Sequence, residues 1–527
     1  MTPYTPLSKN FKFISSALII FLVFSCNTKQ GNTNYLGIVN LEVTGNKQAL
    51  PYFEKGLLLL HSFEYVDARE EFLSAQESDP SMSMAYWGEA MTYNHSLWRE
   101  QEYEKGASAL KRLNIYSDIS SLSILEQDFI KAAEILYQPK LDKVSRDKAY
   151  ADYMQTLYQK YPDNHEIASF YSLALLGSVP EGRDDIIYGQ GAVIAKSILE
   201  DNPSHPGALH YLIHSYDDPD HAQLALAAAN SYAKVAPDAS HALHMPSHIY
   251  LALGMWDEVV SSNEHSYQAS LNRMEKKKLD NDARGYHAYH WLEYGYLQQG
   301  RIEEARNMVL DMEKYANEKP SKRGKTHMVF LKGTFLVETN DWESSIADIA
   351  IDVSDLNVAV RSQYRFLEGM KAFMGDEKEN LEIIIADIRK DYEKEALLVA
   401  NDGITVCASL SSENASQTNI SESMVMEMQL HALRSWLDND LVETERWLLE
   451  SVQLEESLSY SFGPPFIQKP TRELYADWLM EHDRPLDALT QYEKTLERNN
   501  NRALALKGKQ KATSLSGKKS LASLVSN

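Results

Sequence analysis

The residues of this chain best suited to chemistry are histidines, which recur at a regular spacing. Ten of the sixteen histidines fall between residues 205 and 290. His210 and His214 are four residues apart, and the pair recurs 34 residues later as His244 and His248. On a helix, residues four apart share one face with Cβ atoms about 5–6 Å from each other. Neutral imidazoles placed in this way can bind zinc, copper or nickel, at about 2.0–2.1 Å in zinc sites.

Three interpretations of these histidines remain open. A metal site would bind one zinc, copper or nickel ion through His210, His214, His244 and His248, with His241 or His290 adjacent. A groove without metal would instead use the imidazoles as hydrogen-bonding groups for a ligand. A structural role would bury them as a hydrogen-bonded polar core. The sequence predicts no certain cofactor.

No catalytic residue is predicted. The segment HYLIH at 210–214 lacks the glutamate that follows the first histidine in HExxH metallohydrolases. Asp217, Asp218 and Asp220 follow and offer carboxylates, but the Asp-Pro step favours a turn, which we take as their role. Neither a glycine-rich phosphate loop nor a G-x-S-x-G elbow is present in the sequence. A metal-dependent hydrolase is therefore the least favoured function.

A repeat of about 34 residues positions the histidine pairs. Relative to Gly56, the residues at offsets 12, 16, 19 and 24 are Ala68, Phe72, Ala75 and Pro80. These are the spacings of the tetratricopeptide repeat (TPR), a helix–turn–helix unit. The small residues let two helices approach, and the proline stops the second helix. Because stacked repeats need no single large core, the sequence predicts an all-α fold, a right-handed α-solenoid of TPR hairpins.

The repeat register also divides the chain into segments. The predicted segments are a lipoprotein signal peptide (1–26), a polar tether (27–48), a TPR array (49–400), a polar loop or hinge (401–424), C-terminal repeats (425–512) and a flexible tail (513–527).

Residues 1–26 are typical of a bacterial secretion signal. Lys9 and Lys12 precede an apolar run at 13–24 that is short for a membrane span but fits a signal peptide. Ser25–Cys26 resembles a lipobox, in which Cys26 becomes the lipid attachment site. We therefore expect a chain anchored by lipid in the bacterial cell envelope, at the outer membrane and facing the periplasm or the cell surface, with no other contact to the membrane.

Several longer motifs carry a resemblance to a family. They are AYWGEAMTYNHSLW (85–98), HPGALHYLIHSYD (205–217), APDASHALHMPSHIYLALGMW (236–256) and GPPFIQKP (463–470). With its HYxxH and HxxHMPxHIY motifs, the chain resembles an uncharacterised bacterial family of secreted or lipid-anchored TPR proteins. The resemblance implies the repeat architecture and brings no activity with it.

The TPR register also predicts which residues face the concave groove. Positions 2, 5, 9, 12 and 13 of the first helix of each repeat line this groove in TPR folds. The predicted groove residues are Trp87, Asn94, His95, His210, His214, His241, His244, His248, His287, His290 and Tyr294.

Composition narrows the function. The chain has 527 residues with 52 Lys+Arg against 75 Asp+Glu, a formal net charge of −23, which argues against a nucleic-acid partner. Two cysteines, Cys26 and Cys407, exclude a disulfide framework. The sequence thus predicts a lipid-anchored scaffold that binds a protein or peptide partner of the cell envelope in a histidine-lined groove. The alternative is a transition-metal-binding protein.

Overall fold

The computed structural model describes residues 35–402 and 415–525, with side chains over 35–399 and 415–517. The predicted signal peptide at 1–26 lies outside the described residues, together with the lipid attachment site Cys26. Residues 27–34 of the predicted tether and residues 403–414 of the predicted hinge also lie outside them.

The described chain consists almost entirely of α-helices. The first are α1 (Leu50–His61), α2 (Tyr65–Ser78), α3 (Ser83–Met91), α4 (Tyr103–Tyr116), α5 (Ile124–Leu136), α6 (Lys143–Lys160), α7 (His165–Ser178) and α8 (Asp185–Asp201). The central ones are α9 (Pro206–Ser215), α10 (Leu226–Val235), α11 (Ser240–His244), α12 (Pro246–Ala252), α13 (Trp256–Lys277), α14 (Tyr286–Gln298), α15 (Ile302–Glu318) and α16 (Lys322–Thr339). The last are α17 (Val358–Met374), α18 (Lys378–Asp402), α19 (Gln417–Leu437), α20 (Leu441–Ser457), α21 (Thr471–Glu481), α22 (Pro485–Arg498) and α23 (Ala503–Val525). Strands β1 (Asn94–His95) and β2 (Glu100–Gln101) pair as a short antiparallel ladder.

Consecutive helices pack side by side as hairpins, for example α1 with α2, α7 with α8, α13 with α14 and α19 with α20. A residue with left-handed backbone stands in the turn of many hairpins, a conformation that glycine, asparagine and aspartate adopt most readily. These residues are Phe63, Gly254, Gly300, Asp376, Asn439 and Asp483. The prediction of an all-α solenoid of helix–turn–helix repeats is confirmed.

Small residues do bring helices into contact, as the repeat predicts: a Cβ added at Gly56 on α1 would lie 2.8 Å from the ring of Phe72 on α2. A Cβ added at Gly88 on α3 would lie 2.3 Å from the buried ring of Phe72 on α2. We therefore expect Gly88→Ala to lower the free energy of unfolding by about 1–3 kcal/mol, the usual cost of overpacking. Gly189 on α8 has nothing within 4 Å of the same position, so Gly189→Ala should raise stability by up to about 1 kcal/mol. Urea denaturation measures both, and equal stabilities would contradict the close approach.

Three segment boundaries differ from expectation. Residues 35–48 are not a free tether, because the backbone NH of Ile38 donates to Ser204 O at 2.9 Å and that of Thr44 to Glu126 Oε1 at 2.6 Å. The predicted loop 401–424 is helical from Gln417, since Ser416 and Asn419 form a capping box. The predicted flexible tail is helical through Val525 as part of α23.

Segments that are distant in the sequence also contact each other. Helix α1 packs against α9, and Arg273 on α13 pairs with Asp67 on α2 through Nε–Oδ2 at 2.9 Å. The indole NH of Trp256 donates to Asn501 O at 3.0 Å. These contacts skip several repeats, so the described chain is not a simple stack in which each hairpin contacts only its neighbours. Among the described helices, none is both long and apolar enough to cross a bilayer.

Candidate metal centre

The histidine pairs lie on α9 and on the α11–α12 segment. His205 caps the N-terminus of α9, because its Nδ1 accepts the backbone NH of Ala208 at 3.1 Å. Between α11 and α12, Met245 keeps helical angles (φ −51°, ψ −37°). His244 and His248 are therefore one helical turn apart. The sequence alone does not decide this spacing, because the proline at 246 can start a new helix.

Six histidine rings form a connected cluster in the interior. The ring centroids are 4.9 Å apart for His210 and His214, 5.0 Å for His210 and His241, 5.2 Å for His214 and His248, 5.1 Å for His244 and His248, and 4.7 Å for His244 and His287. Two groups stand out, which we name the first triad (His210, His214, His241) and the second triad (His244, His248, His287). Within each triad, one ligand atom per histidine lies within 4.8 Å of the other two.

The Nε2 atoms of this cluster are buried and unpaired. No hydrogen-bond partner for Nε2 is found within the described part of the chain for five of the six, namely His210, His214, His241, His244 and His248. The sixth, His287, is exposed and lines a cavity. The free nitrogens of the two triads are therefore gathered in two small volumes.

The Nδ1 atoms, in contrast, meet hydrogen-bond acceptors. They contact His61 O from His210 at 2.7 Å, Asp217 Oδ2 from His214 at 3.1 Å, Asn263 Oδ1 from His244 at 2.7 Å and Asp217 Oδ2 from His248 at 3.2 Å. Carbonyl and carboxylate oxygens only accept, so each of these Nδ1 atoms donates and carries the proton. The Nε2 lone pairs are then left for a metal ion, the arrangement usual for metal-binding histidines.

The orientation of Asn263 supports this assignment. Its amide nitrogen donates to Val259 O at 2.8 Å, which turns its carbonyl oxygen toward His244. Burial lowers the pKa of His244 to about 3 and holds the pKa of His210 and His241 well below the usual range. These imidazoles are therefore neutral at physiological pH, the form that binds metals.

Asp217 links the two triads. Its Oδ2 accepts from both His214 and His248, and its Oδ1 lies 3.3 Å from Arg183 Nη1. Burial alone would raise the pKa of Asp217, but the hydrogen bonds from the two histidines bring it below its usual value. The turn interpretation is therefore wrong for Asp217. It is right for Asp218, whose Oδ1 accepts the backbone NH of Asp220 and of His221, both at 3.0 Å.

A second buried histidine group differs in kind. The Nε2 atoms of His61 and His205 contact the two oxygens of Glu166 at 2.8 and 3.2 Å, and His61 Nδ1 lies 2.9 Å from Tyr211 Oη. These nitrogens all have partners, so we assign the group a structural role. It also fixes the His61 carbonyl that orients His210.

The expectation of an open histidine-lined groove is wrong for the central residues. His210 is 0 % exposed and His248 is 3 % exposed. Phe63, in the turn after α1, lies 4.2 Å from the ring of His210. Phe462, in the loop before α21, lies 5.0 Å from the ring of His248. The turn after α1 and the loop before α21 thus cover the histidines that the repeat register predicts to be open.

Other predicted groove residues lie apart from the triads. Trp87 is buried against Phe129 and Phe170, and Tyr294 is buried beside Arg502. Helix α3 ends at Met91, so Asn94 and His95 belong to β1 rather than to the groove face of a helix. His95 stacks on Tyr65 at 4.2 Å, and His290 Nε2 lies 2.9 Å from Thr334 Oγ1. The repeat register assigns these residues to groove positions, but in the structure they do not gather around one site.

Four residues that contact the cluster are not among those predicted from the sequence. Phe63 contacts it from the turn after α1, Phe462 from the loop before α21, Asn263 from α13 and Trp291 from α14. The TPR register gives no signal for Phe63 and Phe462, because it describes only contacts inside a hairpin and between neighbouring hairpins. Asn263 and Trp291 do lie in such hairpins, but outside the positions that the register assigns to the groove.

A cavity of about 270 Å³ adjoins the second triad and is lined in part by His287, Trp291, Arg323 and Glu422. Burial raises the pKa of Glu422 to about 8. This carboxyl therefore binds its proton more tightly in the folded chain than in the unfolded chain.

A pH dependence of stability follows from Glu422. Because its pKa is higher in the folded state, its contribution to stability is lost as the pH rises from about 4.5 to about 8, at up to about 1.4 kcal/mol per pH unit. We expect Glu422→Gln to remove this contribution to the slope of unfolding free energy against pH. Denaturation between pH 5 and 8 measures it, with the exposed Glu379→Gln as control. An unchanged slope in Glu422→Gln would contradict the prediction.

Comparison with known proteins finds no relative by sequence and only distant similarity to solved structures. Neither a family model nor a curated protein matches the sequence. The chain is similar to solved helical-repeat structures: the Cut9–Hcn1 hetero-tetramer of the APC/C (11% identity, TM-score 0.36, covering 90% of this chain and 78% of that one), a human IFIT1 dimer with m7Gppp-AAAA (10%, 0.37, 90% and 96%) and yeast Tom70 (10%, 0.28, 90% and 90%).

Because these identities and TM-scores are low, the fold assignment rests on the helix packing of the chain itself. That packing defines a TPR-type helical scaffold whose interior holds a buried histidine cluster. The resemblance to a particular bacterial TPR family stays a prediction beyond this fold.

Proposed function

We propose that the protein binds transition metals, with one ion in each histidine triad. The observation that carries the proposal is the set of five buried Nε2 atoms, each without a partner in the described residues and grouped with the other nitrogens of its triad. This departs from the four-histidine site considered from the sequence. His210 and His214 belong to one triad, His244 and His248 belong to the other, and His241 and His287 complete them.

The cost of the metal-free arrangement supports this function. A buried polar atom without a hydrogen bond costs about 1–3 kcal/mol, so five would cost roughly 5–15 kcal/mol. That sum is as large as the whole stability of a typical domain, about 5–15 kcal/mol. Apolar side chains would fill the same space without this cost, and a bound ion would offset it.

The chemistry of the triads fits zinc, copper or nickel. Imidazole is a good ligand for all three, and three histidines leave a coordination position for water or a substrate. Bond lengths of about 2.0–2.1 Å require nitrogens about 3.4 Å apart. The ligand atoms lie within 4.8 Å of one another, so small ring rotations suffice. Hydrogen bonds from Nδ1 to Asp217, Asn263 and the His61 carbonyl would make the Nε2 atoms stronger ligands.

Metal content tests the proposal. We expect up to two ions per chain in protein purified without chelators or a histidine tag. His210→Ala/His214→Ala/His241→Ala should remove one ion, His244→Ala/His248→Ala/His287→Ala the other, and the six-residue variant both. The control His165→Ala/His265→Ala, outside both triads, should keep both ions. Elemental analysis of folded protein measures the content, and a chain that takes up no zinc, copper or nickel would contradict the proposal.

We also propose that the chain is anchored by lipid at Cys26 in the bacterial cell envelope, where its scaffold binds a protein or peptide partner. The apolar run at 13–24 followed by Ser25–Cys26 supports the anchor, and the net charge of −23 supports a partner other than nucleic acid. Because His210, His214, His244 and His248 are buried, a partner would contact other faces of the scaffold. Incorporation of labelled palmitate tests the anchor. Cys26→Ala should abolish it while Cys407→Ala keeps it, and labelling of Cys26→Ala would contradict the anchor.

A further inference from the structure

The cavity beside the second triad has features that neither the fold nor the metal requires. Aromatic side chains form much of its wall, including Trp291, Phe330, Phe462 and Phe466, with Pro464 and Pro465 beside them. Phe330 and Phe466 meet at a ring-centroid distance of 6.2 Å and an interplanar angle of 78°. Such walls suit a flat apolar molecule. Its volume of about 270 Å³ lies close to the lower end of the range for small-molecule sites, about 300–1,000 Å³.

One cation lines this cavity without an acidic partner. Both Nη atoms of Arg323 donate to backbone carbonyls, those of Asp282 and Arg284, and no carboxylate in the described part of the chain lies within ion-pair distance of it. Burial lowers the pKa of Arg323 somewhat from its very high usual value, and the guanidinium keeps its charge.

Three other titratable groups of the cavity, His290, His327 and Glu422, are mainly neutral at pH 7. Burial lowers the pKa of His290 and His327 to about 3. Burial raises the pKa of Glu422 to about 8, so this carboxyl is mainly protonated at pH 7. The lining therefore carries a net positive charge, which favours an anion.

We propose that this cavity binds a small molecule with an aromatic ring and a carboxylate, the ring against the aromatic wall and the carboxylate near Arg323. This proposal rests on the proposed function in one respect: the bound molecule lies next to the ion of the second triad. His287 belongs to both, since it lines the cavity and its ring centroid is 4.7 Å from that of His244.

Binding of 3-phenylpropionate tests the proposal, with the uncharged 3-phenylpropionamide as matched probe. Isothermal titration at pH 6.5, in metal-free and metal-loaded protein, should show the carboxylate bound at least tenfold more tightly than the amide. Arg323→Gln should weaken the carboxylate at least tenfold and leave the amide unchanged. Ser461→Trp, which places a large side chain on the cavity lining, should abolish binding of both. The control Arg446→Gln, far from the cavity lining, should change neither.

Two outcomes would overturn the proposal: no binding of 3-phenylpropionate in either form of the protein, or binding that both Arg323→Gln and Ser461→Trp leave intact. Ser461→Trp keeps the test valid if Arg323→Gln does not fold. The metal content of the same samples separates the two proposals. Two ions without probe binding would overturn the cavity alone, whereas probe binding in a chain that takes up no metal would overturn the metal centre alone.

Discussion

Replacing Asp217 by asparagine is expected to weaken metal binding at both triads by about 10–100-fold each. The same carboxylate oxygen accepts Nδ1–H from His214 in the first triad and from His248 in the second. An asparagine amide that donates to one of these Nδ1 atoms would move that histidine's proton to Nε2. The lone pair that binds the ion would then be lost.

Competition with a chromophoric chelator measures this effect. Asp218→Asn is the matched control, because Asp218 lies next in the chain and also pairs with Arg183, at 2.8 Å, but holds the turn at Asp220 and His221 instead of a triad. It should leave metal affinity nearly unchanged. Equal affinities in Asp217→Asn and the unaltered protein would show that Asp217 does not orient the ligands.

The second large effect concerns the contact between the C-terminal repeats and the middle of the chain. Arg502 is 0 % exposed, with Nη1 2.5 Å from Glu338 Oε1 and Nε 2.8 Å from Glu473 Oε2. Burial would raise the pKa of Glu473, but Arg502 and Lys469 lower it to about 2. We expect Arg502→Met to lower the free energy of unfolding by about 3–5 kcal/mol, because it removes the buried cation that Glu338 and Glu473 share. Glu473 keeps its ion pair with Lys469, at 2.9 Å, whereas Glu338 loses its pair with Arg502.

Chemical denaturation measures this loss of stability. A compensating variant tests whether the unpaired buried carboxylates cause it. Arg502→Met/Glu338→Gln/Glu473→Gln should recover much of the stability, since no unpaired charge from this group stays buried. The control Arg446→Met removes only exposed ion pairs with Glu443 and Glu450 and should cost less than about 1 kcal/mol. A loss of similar size for Arg446 and Arg502 would contradict the account.

The sequence predicts hairpins well because their determinants are local. Gly56 and Phe72 touch as the repeat spacing implies, and Gly254 and Gly300 stand in turns with left-handed backbone. Contacts between distant repeats follow no such spacing. The pair of Asp67 with Arg273 therefore could not be predicted, and neither could the contacts of Phe63 and Phe462 with the histidine cluster.

The candidate site, like the fold, could be predicted where its determinants are local. The four-residue spacing identified His210 with His214 and His244 with His248, and the register brought His241 and His287 to the same side of the array. The division into two triads depends on ring orientations that Asp217, Asn263 and the His61 carbonyl impose. The sequence predicts a turn at Asp217 because the Asp-Pro step that follows is a strong local signal. The contact of Asp217 with His248 involves a different helix, so no local pattern indicates it.

Anomalous diffraction from a crystal of the metal-loaded protein tests the central claim most directly. Data on either side of the absorption edge of the bound metal locate each ion. The account predicts two peaks, one about 2.0–2.2 Å from Nε2 of His210, His214 and His241, and the other at the same distance from Nε2 of His244, His248 and His287. A single ion shared by His210, His214, His244 and His248, or no peak at either triad, would contradict it.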